Sequence, residues 1–293
     1  MPPLAAISEA ISRALHRPFH ARAHRAVGGG CIHRALAIED GSRRYFVKLN
    51  GEAAAPMFEA EADGLAAIAA AGAIRVPEVV CSGIAGGEAF LVLEHLEMGG
   101  RADPAAMGRA LARLHRSTGP AYGWPRDNYI GATPQLNGTD DDWPRFYADR
   151  RLRPQLEWAR ANGCSRRLHD EGIRLAEQVP DFFTGYRPSP SLLHGDLWGG
   201  NAAYLADGTP VIFDPAVYWG DREADLAMTE LFGGFGAGFY AAYDEAWPRD
   251  AGYETRRTLY NLYHVLNHFN LFGGGYGSQA EGMVAALLAQ LRG

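Results

Sequence analysis

At 293 residues, 47% of them hydrophobic and 21% charged, the chain has ample apolar material for a core and room for two lobes around a cleft, so disorder is not expected. A formal net charge of −6 speaks against a general nucleic-acid binder, which needs a clustered basic face. Three scattered cysteines, Cys31, Cys81 and Cys164, make neither a disulfide framework nor a zinc cluster, and no apolar run approaches the roughly 20 residues of a membrane span.

Leu4, Ile7, Ile11 and Leu15 recur at helical spacing and predict an amphipathic helix, not a signal peptide, which points to the cytoplasm. After Gly28-Gly29-Gly30, strands are expected around Ile32–Ile38 and Tyr45–Leu49, turned by Asp40-Gly41. Pro56 opens a helix that runs to Ala71 and closes at Gly72. Strands at Val79–Ile84 and Ala89–Glu94 follow, joined by Gly86-Gly87. Residues 1–95 thus read as an antiparallel sheet with one helix, and 96–293 as a mainly helical unit, an α+β chain of two lobes. Helices are expected over Pro104–Ser117, Trp143–Ala161, Ser165–Gln178, Leu262–Leu271 and Ala280–Leu291. Residues 119–142, rich in Gly, Pro, Asn and Asp, read as a long functional loop, and Leu192–Phe213 as short strands and loops.

The strongest signal is His194-Gly195-Asp196-Leu197-Trp198-Gly199-Gly200-Asn201. An Asp followed five positions later by an Asn has the spacing of a kinase catalytic loop. Phosphoryl transfer needs such a pair: Asp196 to accept the proton of a substrate hydroxyl, and Asn201 to offer a neutral oxygen to Mg²⁺. Thirteen residues on, the apolar run Val211-Ile212-Phe213 ends in Asp214, a hard carboxylate suited to the same ion. The ATP side is expected in the first lobe. Phe46-Val47-Lys48-Leu49 is similar to the strand whose lysine holds the α- and β-phosphates. Glu59 and Glu61 on the next helix are candidate partners for Lys48. Gly28, Gly29 and Gly30 precede the first hairpin strand, where backbone N–H groups can approach phosphate, although no Walker or Rossmann fingerprint is present.

GGGCIHRA, FVKLN, MFEAEADGL, EHLEMGG, PQLNGTDDDWPRFY, LLHGDLWGGN and IFDPAVYWGDREADLAM together resemble the fructosamine kinase (ketosamine 3-kinase) family of the aminoglycoside-phosphotransferase-like group, in order from about residue 20 to about residue 275. The resemblance implies a protein-kinase-like two-lobed fold and ATP-dependent phosphorylation of the 3-hydroxyl of ketosamines, free or protein-bound, which leads to deglycation. It implies that Lys48 binds the ATP phosphates with Glu61 as its partner, that Glu94 and Leu96 lie at the adenine hinge, that Asp196 is the base, and that Asn201 and Asp214 hold Mg²⁺. His33 departs from the small or polar residue common in the glycine-rich loop.

Trp198 is placed to stack on the sugar or attract the cationic amine, or else simply to pack. Asp221 reads as a helix N-cap and Asp225 as a residue within that helix. His264 and His268 lie four apart on a helix with no third metal ligand in view, and read as hydrogen-bonded or cleft-lining histidines. The loop at 128–142 is expected to cover the acceptor. Cys31 is expected either to be reactive beside the glycine turn, with ATP protecting it, or to be buried and inert. The alternatives are a kinase of an aminoglycoside, choline or homoserine, or a silent kinase-fold binding protein. The sequence leaves the oligomeric state open.

Overall fold

The computed structural model describes residues 2–28 and 32–292; Gly29, Gly30 and Cys31, and the expectations placed on them, lie outside the described residues. The helical stripe of the first residues forms α1 (Leu4–Leu15), which buries Ile7 and Ile11 completely. β1 (Ala23–Val27) follows. This strand was not expected, because its residues AHRAV are mostly exposed and leave no apolar alternation to read. β2 (Arg34–Glu39) and β3 (Arg44–Gly51) form the expected hairpin. Asp40 Oδ1 accepts from the backbone N–H of Ser42 (2.9 Å) and Arg43 (2.8 Å), and Gly41 takes φ +98°, open to glycine at little strain.

α2 (Ala55–Ala71) has proline in its first turn and ends at Gly72 with φ +62°. β4 (Val79–Ala85) and β5 (Glu88–Glu94) complete an antiparallel sheet of order β1-β2-β3-β5-β4. Along β3 the two-residue period sends Tyr45, Val47 and Leu49 into a core with Ile7, Ile11 and Phe19. Lys48 therefore faces the other side.

The helical part begins with α3 (Pro104–His115). Residues 119–142, expected to be an irregular loop, instead fold into β6 (Tyr122–Trp124), β7 (Asn128–Ile130), β8 (Thr133–Gln135) and β9 (Gly138–Asp140). Three-residue strands are too short for a period to show in sequence. The expected single helix over Trp143–Ala161 is interrupted: α4 (Trp143–Tyr147) passes through a π-helical turn at Ala148–Leu152 into α5 (Arg153–Ala161). Pro154 has no N–H to continue the regular ladder there. α6 (Arg166–Glu177) is capped by Ser165, whose hydroxyl accepts from Leu168 N at 3.0 Å.

β10 (Ser191–Leu193) leads into a hairpin of β11 (Ala202–Tyr204) and β12 (Pro210–Ile212). β13 (Tyr218–Gly220), α7 (Glu223–Leu231), α8 (Ala237–Ala246), α9 (Tyr253–Phe272) and α10 (Tyr276–Gln290) finish the chain.

The chain divides into two compact units, Met1–Asp103 with Ala203–Asp214, and Pro104–Ala202 with Pro215–Gly293. The first unit thus runs past residue 95 and takes in the β12 hairpin. Gly99 N and Gly100 N donate to Tyr204 O, and a Cβ at Gly100 would stand 1.7 Å from Leu205 O. In the second unit Trp143, Phe146, Tyr147, Tyr260 and Leu266 lie in the core, and a small sheet runs β10-β13-β6-β9. Among the described residues no helix is long and apolar enough to cross a membrane.

Candidate active site

In the first unit, Lys48 lies on the central strand β3, paired with Ala35 on β2 and Leu91 on β5. Its Nζ donates to Glu61 Oε1 of α2 at 2.6 Å and to Asp214 Oδ1, just past β12, at 2.5 Å. The lysine and Glu61 side chains are 7% and 11% exposed, whereas that of Asp214 is 45% exposed, so of the two carboxylates only Asp214 is open to a ligand. Burial works to lower the Lys48 pKa, but the Glu61 and Asp214 charges outweigh it and hold the ammonium above its ordinary range. Asp214 has φ +59°, one of two non-glycine residues in the left-handed region among those described. An Asp tolerates that conformation better than most residues, and here it turns the carboxylate onto Lys48. His33 packs against Phe58 of α2 with its ring tilted (4.8 Å between ring centroids, 48° between planes), and its Nδ1 accepts from Asn50 Nδ2 at 2.9 Å. Burial first, then the Lys48 charge, pushes this imidazole down to about 4, so it is neutral at pH 7.

In the second unit, the segment after β10 is pinned by its backbone. His194 N and Gly195 N donate to the two carboxylate oxygens of Asp225 on α7, at 2.7 and 2.8 Å. Ala216 N donates to His194 O at 2.8 Å. Gly195 has φ +82°, and a Cβ there would lie 2.0 Å from Ala216 O, so residue 195 must be glycine. Asn201 Nδ2 donates to Asp196 O at 2.9 Å and reaches Asp196 Oδ2 at 3.4 Å, which closes the turn and leaves the amide oxygen as its acceptor. Trp198 lies over Gly200, where a Cβ would come within 2.3 Å of the indole.

Asp225 is itself buried against His115 Nε2 (3.1 Å), whose Nδ1 shares a hydrogen bond with Tyr243 OH (2.8 Å). Burial works to raise the Asp225 pKa, but the hydrogen bond and charge of His115 and the Gly195 N–H hold it below the ordinary carboxylate value.

Comparison with known proteins gives this arrangement a family. The family model described as fructosamine kinase matches residues 3–290. A Synechocystis protein named probable ketoamine kinase is 48% identical over 98% of this chain and 97% of its own length. The chloroplastic protein-ribulosamine 3-kinase of Oryza sativa subsp. indica is 43% identical over 91% of this chain and 79% of its own. The crystal structure of a candidate fructosamine-3-kinase from Haemophilus somnus superposes with a TM-score of 0.88 at 30% identity, covering 96% of each chain.

The chain belongs to the fructosamine kinase family.

It is accordingly an ATP-dependent phosphotransferase of protein-kinase-like α+β fold. Within the first unit of this kinase the structure brings Lys48, Glu61 and Asp214 together, and within the second Asp196, Asn201 and Trp198. Glu94 puts its carboxylate on Arg75 and on Glu78 N, so its side chain is engaged within its own unit, and Leu96 is half-buried two residues on. The space around Gly28 is open: a Cβ there would meet nothing within 4 Å. Glu59 borders a small cavity of about 200 Å³ with Phe58, Ile84 and Phe90, and Glu61 is the partner of Lys48.

Among the described residues no group of three or more His, Cys, Asp and Glu side chains could hold a metal. The donors suited to Mg²⁺ are hard oxygens, the half-exposed carboxylate of Asp214 and the amide oxygen of Asn201, and an ion that keeps waters and phosphate oxygens in its shell needs few more from protein. By donor chemistry each of these residues, taken by itself, suits the ion.

Four features were missed in the sequence. Asp225 is an acid in the middle of a buried apolar helix, with Ala224, Leu226, Ala227 and Met228 around it, and that misfit was its signal. Asp221 stands one residue before Arg222, the N-cap of α7, yet its carboxylate caps the first turn by accepting from Glu223 N (3.0 Å), and it also accepts from Tyr186 OH (3.0 Å) and Tyr260 OH (2.6 Å). Gln135 and Asn128, in the segment expected to cover the acceptor, are buried. Gln135 Nε2 donates to Ala216 O (3.0 Å) and Asn128 Nδ2 to Val217 O (2.7 Å), so they hold the chain just after Asp214. Finally, His268 donates from Nδ1 to His264 O (2.8 Å), while the buried Nδ1 of His264 meets no hydrogen-bond partner among the described residues, so of the expected hydrogen-bonded or cleft-lining histidines His268 is hydrogen-bonded and His264 is not bonded at Nδ1.

Proposed function

We propose that the kinase transfers the γ-phosphoryl group of ATP to the 3-hydroxyl of ketosamines, the sugar adducts of amines and lysine side chains. The observation that carries this reading is the pinned loop: Asp196 and Asn201 are bonded to each other on a turn whose two leading N–H groups are held by Asp225. Such a loop holds its acid in place before substrate arrives, which favours positioned proton transfer.

In the mechanism, Asp196 accepts the proton of the attacking hydroxyl and orients its oxygen. Lys48, kept charged by Glu61, neutralises phosphate oxygens. Asn201 and Asp214 would hold Mg²⁺, which when bound would supply charge neutralisation at the phosphates. The main chain from Glu94 to Leu96 offers its N–H and C=O groups to the adenine, and Gly28 approaches the phosphates. Trp198 packs on the C–H face of the sugar.

The test is γ-phosphate consumption with a panel of ketosamines, aminoglycosides and choline. Ketosamines are expected to be preferred in kcat/KM, and excess EDTA is expected to abolish turnover until Mg²⁺ or Mn²⁺ is restored. A preference for an aminoglycoside or choline would place the protein with another alcohol kinase, and full activity in EDTA would remove the metal roles.

A further inference from the structure

Between α4 and α5 the second unit buries a cation among neutral groups. Of Arg150, Arg151 and Arg153 only Arg151 is buried, at 0% exposed. It lies in the π-helical turn Ala148–Leu152, and turns of this kind recur at functional sites. Its Nη2 donates to Asn137 Oδ1 (2.8 Å) and its Nη1 to Leu136 O and Arg150 O, all neutral acceptors. Its buried Nε meets no partner among the described residues. Aromatic rings fill the remaining space: the guanidinium carbon lies 4.0 Å from the centroid of Tyr218, 4.8 Å from that of Phe146 and 5.9 Å from that of Tyr263. A buried ion without a counter-ion is expensive, whereas a methionine would fill the same space and a glutamine would serve the same acceptors at lower cost. The charge is thus the costly part of this residue.

A directed network leads from that charge toward the loop that carries Asp196. Asn137 accepts from Arg151 on Oδ1, so its Nδ2 is the donor, to Arg126 O (3.0 Å) and to Asn128 Oδ1 (2.9 Å). Asn128 in turn donates from Nδ2 to Val217 O. Gln135 donates from Nε2 to Asn128 Oδ1 (2.8 Å) and to Ala216 O, and its Oε1 accepts from Tyr263 OH (2.8 Å). From Arg151 through Asn137 and Asn128 to Val217 O every donor points away from the cation, and aligned hydrogen bonds reinforce one another at low dielectric. They end on the backbone of Ala216 and Val217, and Ala216 N is the donor that holds His194 O, two residues before Asp196. The charges of Arg151 and Asp196 both act on Tyr263, and those of Arg151 and Asp225 both act on Tyr218, so the proposed base and its pin each share a ring with the cation.

We infer that Arg151 is a positioning residue for phosphoryl transfer: its buried charge polarises the Asn137, Asn128 and Gln135 amides, which hold the Ala216–Val217 backbone against the loop and so fix the direction of Asp196. This rests on the reading of Asp196 as the base. The experiment is chemical rescue of Arg151→Ala, assayed with whichever acceptor of the panel above the wild type phosphorylates. The variant is expected to lose about tenfold to a hundredfold in kcat, with KM for ATP changed by less than about twofold, because Lys48 and Glu61 belong to the first unit. Millimolar guanidinium chloride is expected to restore kcat, and urea, a neutral molecule of the same planar shape, is not. Rescue by both alike would make the residue a space-filling donor and overturns the inference, as does a kcat that the substitution leaves unchanged. Where Arg151→Ala does not fold by circular dichroism, or neither compound acts on it, Arg151→Lys against Arg151→Gln decides. The lysine variant is expected to keep a kcat about tenfold above that of the glutamine variant, and equal values overturn the inference. In an Asp196→Asn background Arg151→Ala is expected to add little further loss, because it acts through that acid, and a full second loss overturns the positioning role. Failure of the base reading looks different, because Asp196→Asn alone would then turn over near the wild-type rate.

Discussion

In the first unit a functional charge is held by other charges, and in the second an acid is held through its backbone. Lys48 sits between Glu61 and Asp214 at 2.6 and 2.5 Å, and of the three side chains only Asp214 is substantially open to solvent. Asp196 is positioned by main-chain N–H groups on Asp225, by Ala216 N on His194 O and by the Asn201 amide. An ion pair with a half-exposed member can exchange partners when a ligand of like charge arrives. A loop bonded through its own N–H groups to a buried carboxylate keeps one geometry throughout. The difference teaches that a charge held by other charges stays adjustable, whereas an acid held through its backbone keeps one direction.

The harshest way to break that comparison is to remove the directed acid itself. Asp196→Asn is expected to lower kcat by a factor of about 10²–10⁴ with circular dichroism unchanged, measured by steady-state kinetics with saturating ATP. Turnover near the wild-type rate would mean that the pinned loop does not carry the base.

Removing the pin is expected to have the next largest effect. Asp225→Asn leaves the two loop N–H groups with one acceptor oxygen where they had two. It is expected to cost about 2–3 kcal/mol in urea unfolding at pH 7 and to lower kcat about tenfold to a hundredfold. The pH dependence follows from the sign of the shift. Asp225 has its pKa held below the ordinary carboxylate value, so its stabilisation is present above that value and is lost as pH falls through the lower folded pKa. The stability gap between wild type and Asp225→Asn should therefore be constant near neutrality and close in acid below about pH 4. A gap that persists at the acid end would assign the effect to packing and not to charge.

The mildest change sharpens the other side. Glu61→Gln takes one carboxylate from Lys48 but leaves Asp214, so the buried ammonium is still paired. The stability loss should stay below the roughly 3–5 kcal/mol of a fully broken buried pair, and KM for ATP should rise by up to about tenfold with kcat less affected. A rise in KM as large as that of Lys48→Met would show that Asp214 gives the lysine no support of its own.

Local signals carried much of this protein. The period of Leu4, Ile7, Ile11 and Leu15, the Asp40-Gly41 turn and the Pro56-to-Gly72 frame led to the helices and hairpins that formed, because capping and turn chemistry act over a few residues. Asp196, Asn201 and Asp214 could be singled out as candidates because phosphoryl transfer restricts residue type and spacing together. Lys48 could be placed on a strand, and its choice of Glu61 over Glu59 followed family resemblance more than spacing.

What the tertiary structure alone decided is long-range. Asp225 lies 30 residues beyond Gly195 in sequence, His115 lies 110 before Asp225, and Gln135 lies 81 before Ala216, and no periodicity links residues so far apart. The same holds for the π-helical turn at Ala148–Leu152, for the sheet formed inside residues 119–142, and for the chain of rings in which Phe232, just after α7, meets Trp198 on one side and His268 of α9 on the other. The sequence by itself determined which side chains are the candidates for the chemistry, since that depends on functional groups and short spacing. Which buried groups hold them in place was settled only when the chain closed on itself, because a buried polar atom takes whatever partner the packing brings within hydrogen-bond reach.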